Sequence, residues 1–86
     1  MPIPTREELT RHVFEVVRDQ ILGAGAGFTA QTNLVEAGVD SLALTQILLA
    51  IEERTGFWMD ESLLTPESLK SAEALAGLVY EQLASA

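Results

Sequence analysis

Apolar residues in this chain recur at every third or fourth position and nowhere in the strict alternation of a half-buried strand, which restricts it to helices. No cysteine occurs among its 86 residues, so neither disulfides nor thiolate metal sites can hold it together. With 48% hydrophobic residues it is far from a disordered composition, and a chain this short has room for one small core. The expected fold is all-α: one helical bundle, a single domain over residues 1–86, structured from about 5 to 84.

A first helix is predicted over residues 6–22. Thr5 and Glu8 match a capping box, Glu7 and Glu8 lie at the positive end of the dipole, and Leu9, Val13, Val16, Val17 and Ile21 form one stripe. Glu7 and Arg11 are spaced for an i,i+4 pair on the wet side. Gly23-Ala24-Gly25-Ala26-Gly27 stops this helix and opens a loop that reaches Asp40. With no Lys-Ser/Thr pair behind it and no strand before it, the glycine run is not a phosphate-binding loop. So long a loop in so small a domain is expected to pack or to work. Phe28, Leu34 and Val39 are its anchors, Thr32 or Asn33 caps a short turn through Glu36, and Gly38 suits a positive φ.

A second helix is predicted over residues 41–55, with Gly56 as its C′ residue. Phe57, Trp58 and Met59 fall in the next loop, and Trp58 is expected partly buried with its indole N–H near water. Thr65-Pro66-Glu67 reads as a cap followed by proline at the first position of a short third helix. Ser71 then caps a fourth helix with the stripe Leu75, Leu78, Val79 and Leu83. On the second helix, Leu44, Ile47, Leu48 and Ile51 share one side and should be buried, whereas Leu42, Thr45, Gln46 and Leu49 face the opposite way with Glu53 below them. An apolar strip opposite the core is better placed to be covered by a partner than to support folding.

The formal charge is −8, and residues 23–86 carry nearly all of it, with Arg54 and Lys70 against nine acids. Such a surface repels phosphate backbones and anionic lipid, which argues against nucleic-acid or membrane partners, and attracts basic patches on proteins. The N-terminal residues show no apolar signal region, and no stretch approaches a membrane span, so a cytoplasmic protein is expected. The single His12 flanks the first helix's stripe as a helix-edge residue, and one His without Cys excludes ordinary zinc sites. Ser41 has no base near it in sequence, so hydrolase chemistry has no support, and the scattered acids make no glycosidase-like pair. By itself, Asp40-Ser41 before an apolar run is also what a plain helix cap looks like.

The run Thr32-Asn33-Leu34-Val35-Glu36-Ala37-Gly38-Val39-Asp40-Ser41-Leu42 resembles the attachment segment of acyl and peptidyl carrier proteins. The order of elements resembles that family's four-helix bundle, with three main helices, a short third one and a long first loop. Residues 40–56 match its second helix without a gap, including Glu52-Glu53, and Leu69-Lys70-Ser71-Ala72 is similar to its junction before the last helix. The resemblance implies a free-standing carrier rather than an enzyme. Ser41 would hold 4′-phosphopantetheine, Asp40 would orient the attachment loop, Leu42 would lie beside the arm, and no residue would be catalytic or bind metal. The implied partners are a phosphopantetheinyl transferase, an acyl- or aminoacyl-loading ligase and a downstream transferase or synthase, met by a monomer through Leu42, Thr45, Gln46, Leu49 and Glu53. Ala43 and Gln46 are neutral where fatty-acid carriers usually have acids, and residues 57–68 run about two residues longer, so a small aminoacyl or short acyl cargo is expected. The competing reading, from a different class, is a small acidic helical adaptor that binds partners through Leu42 and Leu49 without a cofactor.

Overall fold

A computed structural model describes residues 4–22 and 28–85, leaving out the side chains of Ile21, Leu22 and Glu61. Three main helices form: α1 (Arg6–Val16), α2 (Ser41–Thr55) and α3 (Ala72–Ser85). No strand occurs among the described residues, in keeping with the all-α expectation.

The capping box opens α1 as expected: Glu8 N–H donates to Thr5 Oγ1 and Thr5 N–H to Glu8 Oε1, at 3.1 and 3.0 Å. The Thr5 amide holds the Glu8 carboxyl below its ordinary pKa. Leu9, Val13, Val16 and Val17 are buried, and α1 packs most extensively against α3. The predicted single helix over 6–22 changes its winding instead, becoming a π-helix over Val17–Leu22. The wider turn starts at Val17, next to Val16, and both valines are buried. Ile21's side chain and the stop at Gly23–Gly27 lie outside the described residues. Glu7 and Arg11 do not pair; the ion pairs among the described residues are Arg18–Asp19 and Lys70–Glu67.

Small residues let the helices approach on the α3 side. Ala72, Ala76 and Gly77 are buried beside Leu75 and Val79, while Leu78 and Leu83 pack half-buried at the edge. The Arg6 guanidinium lies directly over Gly77, where a Cβ would come within 2.5 Å of it. Ser71 caps α3 as predicted, its Oγ accepting from Ala74 N–H at 3.0 Å. The short third helix takes another form. Residues 66–69 are turns, with the N–H groups of Ser68, Leu69 and Lys70 donating to the carbonyls of Thr65, Pro66 and Glu67 and with Thr65 and Ser68 capping each other, and a single 3₁₀ turn forms earlier, at Glu61–Leu63.

The loop before α2 is built inward. Phe28, Leu34 and Val39 are all buried, and Phe28 stacks on Phe14 with ring centroids 5.3 Å apart. Asn33, rather than Thr32, caps the turn by accepting from Glu36 N–H, and Gly38 takes φ 105°. Leu34 N–H donates to the Leu69 carbonyl and Glu73 N–H to the Ala30 carbonyl, which stitches the loop to the start of α3. Truncating Leu34 to Ala should therefore cost about 2–5 kcal/mol, because a fully buried anchor leaves a cavity at this seam; urea unfolding followed by circular dichroism measures it.

Candidate functional site

Asp40 is the N-cap of α2. Its Oδ1 accepts from Ala43 N–H at 2.8 Å and its carbonyl from Leu44 N–H at 2.9 Å. Ser41 is thus the first helical residue, with an exposed side chain. The first-turn amides of Ser41 and Leu42 have no acceptor four residues back within the helix, so they point partial positive charge outward at the Ser41 end. Thr45 Oγ1 donates to the Ser41 carbonyl at 3.0 Å, fixing one side of this turn.

A cleft of about 270 Å³ opens beside Ser41. Its walls are Leu34, Val35 and Val39 from the loop, Leu44 from α2 and Leu69 from the turn before α3, with Asp40 and Ser41 at the rim. A larger cleft of about 700 Å³ lies between α1, residues 28–30 and the start of α3, and shares no lining residue with the first. Its rim mixes Arg6 and Arg11 with Glu7 and Glu73 and contains neither cysteine, serine nor histidine, so the smaller cleft is the one with chemistry at its mouth.

The faces of α2 separate largely as expected. Ile47, Leu48 and Ile51 are buried, while Leu42 is 69% and Leu49 45% exposed, with Gln46 and Glu53 exposed along the same stripe and Thr45 half-buried at its border. Two positions differ. Leu44 is only half-buried, because it forms a wall of the cleft. Ala43 is buried at 7% exposure, so its lack of charge follows from packing and says nothing about which partner is read. Trp58 at 45% exposure is more open than its expected partial burial, whereas Met59 is buried and Phe57 half-buried.

His12 sits at the helix edge as predicted, and it also ties α1 to α2. Its Nε2 lies 3.1 Å from the Ala50 carbonyl and must carry the proton there, since a carbonyl only accepts. Ala50 is nine residues past Ser41, about 13 Å along the axis, so His12 is no base for that hydroxyl. No group of three potential metal ligands occurs among the described residues. Val35, 59% exposed and lining the cleft, is a site residue that the sequence reading missed. The available signal was the adjacency of Leu34 and Val35 in a tight turn, where both cannot face the core.

The family model for phosphopantetheine attachment sites matches residues 15–79 of this chain. The chain is also similar to aminoacyl carrier protein 1 of Bradyrhizobium diazoefficiens, with 34% identity over 58 residues. That match covers 67% of this chain and 64% of the relative, so it spans somewhat under two thirds of the other protein.

The cap at Asp40 can be separated from everything attached to it. Asp40→Ala should lower stability by about 1 kcal/mol by orphaning the Ala43 N–H, and Asp40→Asn should restore most of that, as read by the midpoints of urea unfolding.

Proposed function

The chain belongs to the phosphopantetheine-attachment family, and on that premise we propose that Ser41 is the serine to which the group is joined. Members of this family hold 4′-phosphopantetheine covalently on a serine, and they serve a modifying transferase and biosynthetic enzymes as substrate-bearing partners rather than as catalysts. The position of Ser41 supports the assignment. It is an exposed hydroxyl at the first position of a capped helix, with unpaired first-turn amides at its side and an apolar cleft beneath it. Those amides and the positive end of the α2 dipole would hold a phosphodiester on Ser41 Oγ. When bound, the group supplies a flexible arm whose terminal thiol carries an acyl or aminoacyl unit as a thioester between enzymes. Asp40 keeps the turn in place, and Leu42 lies beside the root of the arm.

Docking is assigned to Leu42, Thr45, Gln46, Leu49 and Glu53, whose stripe is not needed for the core. The enzymes that would use it are a phosphopantetheinyl transferase, an acyl- or aminoacyl-loading ligase and a downstream transferase or synthase, meeting a cytoplasmic monomer. A small cargo is favoured. Phe28 and Met59 fill interior space, the cleft at Ser41 is modest, Gln46 is neutral on the outward stripe, and the relative's name refers to an aminoacyl carrier. No helix among the described residues is long and apolar enough to cross a membrane.

Intact mass after incubation with a broad-specificity phosphopantetheinyl transferase and coenzyme A tests the assignment. One phosphopantetheine should add to the native chain and none to Ser41→Ala, with the helical circular dichroism unchanged. No addition by several transferases, or a label on Ser62, Ser68 or Ser71, overturns it. On the outward stripe, Leu49→Gln should change stability by no more than about 0.5 kcal/mol, whereas a large drop in melting temperature would place Leu49 in the core.

A further inference from the structure

Every large apolar side chain left exposed among the described residues lies on α2 or on the segments at its two ends: Val35 before it, Leu42 and Leu49 on it, Trp58 and Leu63 after it. α1 and α3 expose none. Trp58 is remote from Ser41, because α2 spans fifteen residues, about 22 Å, and Trp58 follows its far end by three residues.

The segment after α2 alternates. Phe57 is half-buried and Met59 fully buried, whereas Trp58 and Asp60 are exposed, so the last two share the outward side. Their presentation is fixed on both flanks. Met59 is held in the core, Asp60 Oδ1 accepts from Ser62 N–H at 2.8 Å, and Leu63 N–H donates to the Asp60 carbonyl at 3.0 Å. The Ser62 amide also lowers the pKa of the Asp60 carboxyl, which stays ionised near neutral pH. Ser62 is its local partner, and neither Asp60 nor Glu53, exposed on the last turn of α2, belongs to an ion pair among the described residues.

We propose that Trp58, Asp60 and Leu63 form a second docking point, remote from Ser41, for an arginine-bearing surface of a partner enzyme. An exposed indole is the strongest aromatic platform for a cation, and arginine adds a planar face that stacks on it and N–H groups that reach a carboxylate. Lysine matches this arrangement less well. Charge selects the same occupant: residues 23–86 carry nine acids against two basic residues. That the occupant is an enzyme rests on the carrier reading; the chemistry of the contact does not.

The test uses the full-length apo chain and three labelled amphipathic helical peptides, identical except for arginine, lysine or glutamine on the polar edge. Trp58 is the chain's only tryptophan, so its emission reports this point alone. The arginine peptide should bind with a blue shift in emission and more tightly than the lysine peptide. By peptide anisotropy, Trp58→Ala should weaken binding about tenfold, Trp58→Phe less, and Asp60→Asn and Leu63→Ser measurably. Equal binding of the arginine and lysine peptides, with no effect of Trp58→Ala, would reduce the contact to diffuse acidity and overturn the proposal. Amide shifts confined to α1 or α3, or no binding by any peptide, would also overturn it. Circular dichroism of each variant guards against misfolding. Ser41→Ala should bind as the native chain does, so failure of mass gain at Ser41 and failure of docking at Trp58 appear in different measurements.

Discussion

Leu34 is where the loop, the second helix and the third helix meet, and the position of Ser41 depends on it. Its side chain is fully buried, its N–H donates to the Leu69 carbonyl, and its carbonyl accepts from Val39 N–H. Burying a leucine contributes about 1.5–3 kcal/mol, against about 1 kcal/mol net for a hydrogen bond, so burial supplies the hold and the two bonds supply the register. Once Val39 is fixed, Asp40 is in place to cap α2, and the next residue, Ser41, has to start the helix at the surface. The long loop is thus a positioning device.

α2 is held at three places. Asp40 caps its start, His12 bonds to Ala50 along its length, and Gly56 closes its end at φ 73° with its N–H on the Glu52 carbonyl. Ala43, Ile47, Leu48 and Ile51 face the core. The outward leucines add nothing to that packing, and exposure of two leucines on one short stripe is tolerated by a chain whose surface charge discourages self-association.

Where apolar spacing and cap chemistry act locally, the sequence was readable. The capping box at Thr5 and Glu8, the limits of α2 from Asp40 to Gly56, the Ser71 cap and the loop anchors Phe28, Leu34 and Val39 all depend on a few neighbouring residues. What escaped was set by tertiary context. The π winding after Val16 is a change of pitch that a helical wheel of fixed turn cannot express. Ala43 stands one turn before the buried Ile47 and lies against the core with it, so its lack of charge reports packing rather than a partner. Pro66 suggested a helix start, yet the Thr65–Ser68 pair and the Leu69 carbonyl's bond to Leu34 keep the segment as turns. Val35 and Trp58 needed the fold itself, because adjacent apolar residues do not say which of them turns outward.

The gathering of exposed apolar residues on α2 and the segments at its two ends has a consequence for timing. If that side does all the docking, an enzyme resting on it closes it to the next, and two partners cannot hold the protein together. Successive enzymes must then take turns, and the slowest departure sets the pace. Affinity differences among related complexes reside mostly in dissociation rates, so a tighter grip would mean a longer wait. A protein arranged this way does best with contacts that are specific and brief, and a stripe of two leucines with few neighbours is a modest amount of surface to let go.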